Sequence, residues 1–560
     1  MCNITPVYLQ KSSTTGYYWL LLLISLYVGW YFYYLNLYAV DVPYIDDYDA
    51  ILEYLLTYGK VDGWSKFKSL FLPHSEHILI MTRIAGWVNY ALAGHISFRH
   101  LLLVGNSLLV LQLGLLYTLF RPSLRFSPVY FFLVALVFLN PQYSPTSFWA
   151  MALWSNIWVL IPVTLCTFIL TRPKQWHWTI PLAILAQFSN GNGMMIWPVG
   201  VFVLFMDQRP LRHYLTWIIT GIISCSGYFY VMSQHPAAGT FEISNPVMAP
   251  LNFLAFIGSY AALVGGIGGQ IMAVLTGSLV VTVSFLTLRN YRKSNDRTAL
   301  ILLSLMLFIC LTALSVALFR AEKGMNIIIG GRYRHYSSLA VAISLLMGFR
   351  FITFRVSRWI SFVPWTIAVV VTALSYFRDI GLRLTTEWMT VADYYNFLHN
   401  QLDVYTVDGT PRFGKTALKA HQTGLYNVPL RYDLKEQLKI AALLKFKPMH
   451  QLERNEETKV DKTVCGNYWL LKEPQFQFPP SSKEAFYAVL SQGSRHYVFP
   501  TSSTRNNWLA MLKERRYFKK GLEAEVFDCH ISMLNARIEW LQTGHKPTLY
   551  LTNSIITVNP

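Results

Sequence analysis

Apolar runs long enough to lie across a lipid bilayer recur along the first 380 residues. They fall at about 17–38, 100–120, 127–139, 152–171, 176–188, 192–206, 213–232, 266–288, 298–319, 335–349 and 359–377. A hydrocarbon core about 30 Å thick takes roughly 20 apolar residues as helix, and fewer where protein surrounds the segment. In lipid, each backbone N–H and C=O must be satisfied within the protein, so the runs are read as helices. The fold is therefore expected to be mainly α, a polytopic transmembrane helix bundle of about 11 spans. Four runs (127–139, 176–188, 192–206 and 335–349) are short. The apolar stretch 250–265 is read as an interfacial or re-entrant helix, because a full span there breaks the charge pattern.

That pattern comes from Lys and Arg in short connections. Lys11, Arg121, Arg125, Arg172, Lys174, Arg209, Arg212, Arg289, Arg292, Lys293, Arg297, Arg350, Arg355 and Arg358 fall on one side, with only Asp207 and Asp296 among them. The alternate connections differ: 39–99 holds seven acids against five Lys/Arg, 140–151 has no charge, and 233–265 holds only Glu242. The basic set is expected to face the cytoplasm, with the N-terminus inside. The first run is too long for a signal-peptide core and lacks a small-residue cleavage site, so it reads as a retained anchor. Eleven spans then place the C-terminal tail outside. The net charge of +18 is carried largely by these loops and the tail. No nucleic-acid motif is present, so nucleic acid is not an expected partner; membrane lipids are.

The expected domains are 1–379, the membrane module with a first outer loop at 39–99, and 380–560, a small extracytoplasmic α+β domain. The tail carries 23 Lys/Arg and 17 Asp/Glu. Strand-like runs "RHYVFP" and "PTLYLT" alternate there with the helical "LKEQLKIAALL" and the turn cluster "FPPSSKE". Cys166, Cys225 and Cys310 fall in apolar runs and read as core residues. Cys465 and Cys529 could form a disulfide if the tail lies outside the cytoplasm. No Cys/His metal spacing occurs, and no cofactor is indicated.

Four polar features fall on the outer face of this topology. The first is "VPYIDDYDAILEYLL", where Asp46 and Asp47 follow the first span. A carboxylate desolvated beside lipid gains basicity and can act as a general base or metal ligand; acids at a helix N-terminus are the ordinary alternative. The second is "LPHSEHIL", with His74, Glu76 and His77. Its spacing is not that of a zinc helix, and an acceptor- or phosphate-binding role or a plain loop fits better. The third is "GGRYRHYSS", where Arg332, Arg334 and His335 suit phosphate oxygens or snorkel at the interface. The fourth joins "NPQYSPTSFWAMALWSNIW" (Gln142, Tyr143, Trp149, Trp154) with "QFSNGNGMMIWP" (Asn190, Asn192). Aromatic faces and amides suit sugar rings, and aromatic belts are the routine alternative. A polar break at membrane depth suits a cavity lining.

This layout resembles the GT-C class of integral-membrane glycosyltransferases. It shares an inside N-terminus, the acidic pair in "IDDYDA" after the first span, amphipathic helices in a long first outer loop, many further spans and an outer C-terminal domain. The stretch "DDYD…LPHSEHILIMTRI" is similar to a pattern in bacterial polytopic proteins assigned to that class. The resemblance implies a GT-C-like bundle in the bacterial inner membrane and a hexosyl or pentosyl donor carried on polyprenyl phosphate or diphosphate. It implies transfer at the periplasmic face to an envelope glycan or lipid-linked glycan such as O-antigen of lipopolysaccharide. By position it assigns the base to Asp46 or Asp47, with inversion, and donor phosphate binding to Arg332, Arg334 and His335. His74, Glu76, His77, Gln142, Tyr143, Trp149, Trp154, Asn190 and Asn192 are then candidates for acceptor or sugar binding. Most users of lipid-phosphate sugars need no metal, though some members of the class do. Other readings remain: a transferase acting on a pilin-type protein or moving a whole oligosaccharide, a lipid-glycan flippase or other transporter, and a non-catalytic partner in polysaccharide assembly.

Overall fold

A computed structural model describes residues 14–120, 129–234, 246–320, 324–351, 363–400, 412–443, 447–448, 453–455, 468–477, 484–527 and 535–556. Cys465 and Cys529, and with them the expected disulfide, lie outside the described residues, as does most of "FPPSSKE". The chain forms two compact units. One comprises Met1–Leu35, Val61–Ala85 and Leu102–Asp379; the other comprises Asn36–Lys60, Gly86–Leu101 and Ile380–Pro560.

The first unit is helical. Among the described residues of the chain, six helices are long and apolar enough to cross a membrane: Gly16–Tyr38, Phe98–Thr118, Ala150–Leu170, Leu211–Ser233, Gly266–Ser294 and Arg297–Phe319. These six do not by themselves confirm the expected count of about 11. The runs near 127–139, 176–188 and 192–206 form Val129–Phe138 (10 residues), Thr179–Ser189 (11) and Ile196–Met206 (11). At 1.5 Å rise per residue, each covers only about half the hydrocarbon thickness. The last two meet at a 3-10 turn, Gly191–Met195, which is the polar break read from "NGNG". The 335–349 run lies in Arg334–Phe351, and 359–377 opens the 38-residue helix Val363–Asn400.

Local rules account for several joints. Asp296 caps Arg297–Phe319 by accepting from the amides of Thr298 (2.8 Å) and Ala299 (3.1 Å), and it pairs with Arg350 at 2.5 Å. Asp207 pairs with Arg209 at 2.6 Å. The two acids of the basic loop set are thus both neutralised in place. The 250–265 stretch forms the helix Ala249–Gly258 and the short turn Ser259–Ala261. Gly258 and Gly277 let it lie directly on Gly266–Ser294: a Cβ on either would strike the backbone carbonyl of Ala273 or Leu254. In Val363–Asn400, the buried Asp379 accepts from the hydroxyls of Tyr34 and Ser144.

The second unit is built on an eight-stranded sheet in the order Lys447–Pro448, Thr548–Ile556, Ala536–Gln542, Phe486–Gln492, Arg495–Ser502, Lys520–Phe527, Tyr468–Gln477, Glu453–Asn455. Neighbours are antiparallel except the first pair. "RHYVFP" and "PTLYLT" are strands and "LKEQLKIAAL" is a helix, as their periodicity predicts. The central hairpin closes through Gly493 at φ +61°, the left-handed conformation that two-residue hairpin turns need. Tyr497, Val498 and Phe499 are all buried, the mark of a strand covered on both faces. Asn396, on the helix, substitutes for a strand at Val498. It donates to the Val498 carbonyl (2.7 Å) and accepts from its amide (3.2 Å).

Two pieces of the 39–99 connection belong to this unit. Tyr48 stacks on Phe413 (5.0 Å between centroids) and meets Phe397 edge-on (5.4 Å). Glu53 accepts from Thr416 at 3.1 Å. The Tyr426 hydroxyl donates to the Asp41 carbonyl at 2.6 Å.

Candidate functional site

The acidic pair sits in distorted backbone. Ile45, just before it, has φ +45°. A β-branched residue is strongly disfavoured there, because its Cβ crowds the neighbouring carbonyl. The pair then enters a π-helix, Tyr48–Glu53, in place of an α-helix. Positive φ at a non-glycine and π-turns are both concentrated at functional sites. Asp47 is 2% exposed, and its carboxylate accepts the Tyr44 amide at 3.1 Å. Asp46 is half-buried. Burial is the main influence raising the Tyr44 phenol above its usual pKa; Arg383 opposes that rise, and Asp393 and Asp47 add to it. The environment of the pair thus includes a buried guanidinium, Arg383, and a third carboxylate, Asp393.

The other sequence candidates lie in the helical unit. Pro73–His74 and His77–Ile78 pair as a minimal hairpin turning at Ser75 (φ +49°), with His74 opposite His77. Arg83 braces it by donating to the carbonyls of Ser69, Leu70 and Leu72. Glu76 forms an ion pair with Arg320. The Ile78 amide donates to the Tyr228 hydroxyl at 3.3 Å. A Cβ on Gly191 would lie 2.7 Å from the His77 ring, so the "NGNG" turn reaches the hairpin only because that residue is glycine. Part of His77 stays open to solvent, yet protein encloses its ring. Burial first, then the positive fields of Arg320 and Arg332, push its pKa down to about 4. His77 is therefore an uncharged hydrogen-bonding group at neutral pH, standing in an electropositive place.

Arg332 and Arg334 differ in their engagements. Arg332 is exposed, with its guanidinium over the Trp149 ring at 5.2 Å. Its carbonyl accepts from Thr146 at 3.0 Å. Arg334 is buried and satisfies backbone: it donates to the carbonyls of Ile329 (2.9 Å) and Ala262 (2.7 Å), and to Gln142 (3.5 Å). His335 is fully buried beside Tyr336 (3.9 Å) and Tyr143 (6.4 Å). The close approach that Gly331 allows is to Pro145, whose ring would lie 2.7 Å from an added Cβ.

The amides and aromatics divide in the same way. Tyr143 is fully buried, and its hydroxyl donates to the Phe138 carbonyl. Gln142 is 8% exposed in a turn capped by Asn140. Trp154 lies in a second π-helix, Leu153–Ile157, stacked on Trp158. Asn190 donates to Asn156 at 2.8 Å, and Asn192 donates to Tyr336 at 2.6 Å and to Thr312 at 3.4 Å. Within this unit the structure brings together Glu76, His77, Arg320, Arg332 and Trp149. Two cations, one countering acid and a neutral imidazole can bind and orient an anion such as a phosphate. Sequence reasoning missed Arg320, which reads there as a flank of an apolar span. It also missed Asn156, Thr312 and Tyr336, polar residues inside helical runs. Among the described residues no group of three or more His, Cys, Asp or Glu is placed to hold a metal ion.

No protein-family model matches the chain, and no curated protein matches it. Among solved structures, the chain is similar to the crystal structure of ArnT from Cupriavidus metallidurans in the apo state. The identity is 12% and the TM-score 0.33, over 72% of this chain and 85% of that one.

Proposed function

We propose that this chain is a membrane glycosyltransferase. It moves a hexosyl or pentosyl group from a polyprenyl-phosphate or diphosphate donor to an envelope glycan such as O-antigen, on the periplasmic face of a bacterial inner membrane. The observation that carries this reading is the strained turn at Ile45 leading into the π-helix, with Asp46 and Asp47 at the joint. Such backbone persists where position matters more than local stability. Asp46, half-buried, takes the acceptor hydroxyl proton. Asp47, tied to the Tyr44 amide, positions the turn. The acceptor oxygen attacks the anomeric carbon as the bond to the lipid phosphate breaks, which inverts the centre. Within the helical unit, Arg332 and Arg320 suit an anion better than Arg334, whose donors are committed to carbonyls. Fixed cations stabilise the charge that develops on the departing oxygen, and a phosphate leaving group needs no strong acid.

The test is transfer in membranes containing the chain, read as sugar lost from a radiolabelled polyprenyl-phosphate donor and gained by the glycan. Asp46→Asn should fold normally and lose transfer by roughly 10²–10⁴-fold, the usual worth of a general base. Asp47→Asn keeps an acceptor oxygen for Tyr44, so it should lose less. Full transfer by both variants would remove the pair from the chemistry. Flux of the lipid-linked sugar across vesicles without transfer would replace the enzyme reading with a flippase. A glycan found on a pilin-type protein would change the acceptor.

A further inference from the structure

The second unit holds a cavity of about 410 Å³ that plays no part in the chemistry above. Its wall combines the helix Val363–Asn400 (Glu387, Trp388, Val391), the turn and helix at 430–437 (Arg431, Tyr432, Gln437) and the ends of two central strands (Tyr487, Thr543). The volume falls within the range of small-molecule sites, roughly 300–1,000 Å³. Glu387 is 4% exposed. One carboxyl oxygen lies 3.6 Å from Arg431, while the other, Oε2, is buried with no hydrogen-bond partner among the described residues. A buried oxygen left unpaired is costly, so the cavity is built to receive a donor there.

The other polar groups of the wall are largely committed. The Thr543 hydroxyl bonds Ala485 (3.1 Å to its amide), and Gln437 Oε1 accepts the Gly544 amide at 3.3 Å. The Arg431 guanidinium lies 5.2 Å over the Tyr432 ring, is partly exposed and puts a positive charge on the wall. A cationic ligand meets that charge. An anionic group finds at most one donated hydrogen bond at the Glu387 carboxyl, where a hydroxyl can both give and accept one. Burial raises the Glu387 carboxyl to about 8 against the pull of Arg431 and Arg99, so it is a neutral group that can donate one hydrogen bond and accept others. The rings of Trp388, Tyr432 and Tyr487 offer flat apolar faces. A neutral ring with hydroxyl edges and C–H faces matches this wall.

We propose that this cavity binds one neutral pyranose unit of a glycan, with Glu387 Oε2 hydrogen-bonded to a sugar hydroxyl and an aromatic face against the ring. Saccharide binding stands by itself; equating that unit with part of the transfer acceptor rests on the glycosyltransferase reading.

The test uses the full chain in detergent and saturation-transfer NMR. The probes are methyl glycosides of glucose, mannose, galactose and N-acetylglucosamine, with glucuronate and glucosamine as charged comparisons. At least one neutral glycoside should bind saturably and more tightly than both charged sugars. Glu387→Ala should weaken it at least tenfold, and Glu387→Gln, which keeps neutral hydrogen-bonding atoms, by no more than about threefold. Unchanged melting temperatures would certify the fold of each variant. If Glu387→Ala melts early, Gln437→Ala and Trp388→Phe take its place and should each weaken binding. Binding of no neutral glycoside, preference for a charged sugar, or binding insensitive to all these variants would overturn the proposal. Asp46→Asn should bind the glycoside like the parent. Sugar binding by a chain that shows no transfer would therefore sink the enzyme reading and leave this site standing.

Discussion

At the scale of single residues, Asp46 and Asp47 were legible in the sequence as a motif, but the backbone that holds them was not. Nothing about isoleucine announces φ +45°; the surrounding packing imposes it, and periodicity cannot show that. His74, Glu76 and His77 were visible as a polar cluster, but the ion pair of Glu76 with Arg320 joins residues 244 apart in the chain. That cluster gives His77 a testable pH signature. Its pKa of about 4 lies below the value near 6.5 of an unfolded chain. Keeping the ring neutral costs nothing above about pH 6.5, where its contribution to stability is whole. That contribution is lost as pH falls from about 6.5 toward 4, because the unfolded chain takes up the proton first. His77→Gln, which stays neutral throughout, should lose less melting temperature than the parent between pH 7.5 and pH 5. Equal losses in detergent-solubilised parent and variant would refute the assignment.

At the scale of elements, hydropathy found the long helices, because a 20-residue apolar run leaves the backbone few options in lipid. It does not settle the span count where helices of 10 or 11 residues lie among neighbours. A window average does not distinguish a span from a buried half-helix. The 250–265 segment forms the helix Ala249–Gly258, whose contact with Gly266–Ser294 depends on backbone touching backbone at Gly258 and Gly277. Gly277→Ala forces a Cβ into the Leu254 carbonyl and should destabilise by about 1–3 kcal/mol, the usual cost of overpacking. Gly227→Ala is the matched control. It lies in the helix Leu211–Ser233 with nothing within 4 Å of an added Cβ, and it should be neutral or stabilising by about 0.5–1 kcal/mol. Thermal unfolding of both variants in one detergent decides it; equal effects would mean the two helices are not in backbone contact.

At the scale of the molecule, composition separated the polar tail from the apolar region, and alternation placed several of its strands. It did not reveal that the compact unit holding the tail also contains 36–60 and 86–101, since no local pattern pairs Tyr48 with a ring more than 300 residues away. Those pieces fill the unit's core. Tyr48 covers Phe413, Phe98 meets Tyr426 edge-on at 5.5 Å, and the Ile96 amide donates to the Leu425 carbonyl at 2.9 Å. Tyr426 is itself fully buried, with its hydroxyl on Asp41. Cutting the chain at residue 380 strips these aromatic faces and leaves the Tyr426 hydroxyl and the Leu425 carbonyl without their partners. Apolar burial stabilises by roughly 25 cal/mol per Å², and a domain's whole margin is about 5–15 kcal/mol, so losing several aromatic contacts together removes much of it. Residues 380–560 expressed alone should therefore melt without a cooperative transition and be cleaved by protease at 412–426, a segment protected in the full chain. A cooperative transition of the fragment at the full chain's temperature would mean that the first-loop pieces sit on a core complete without them.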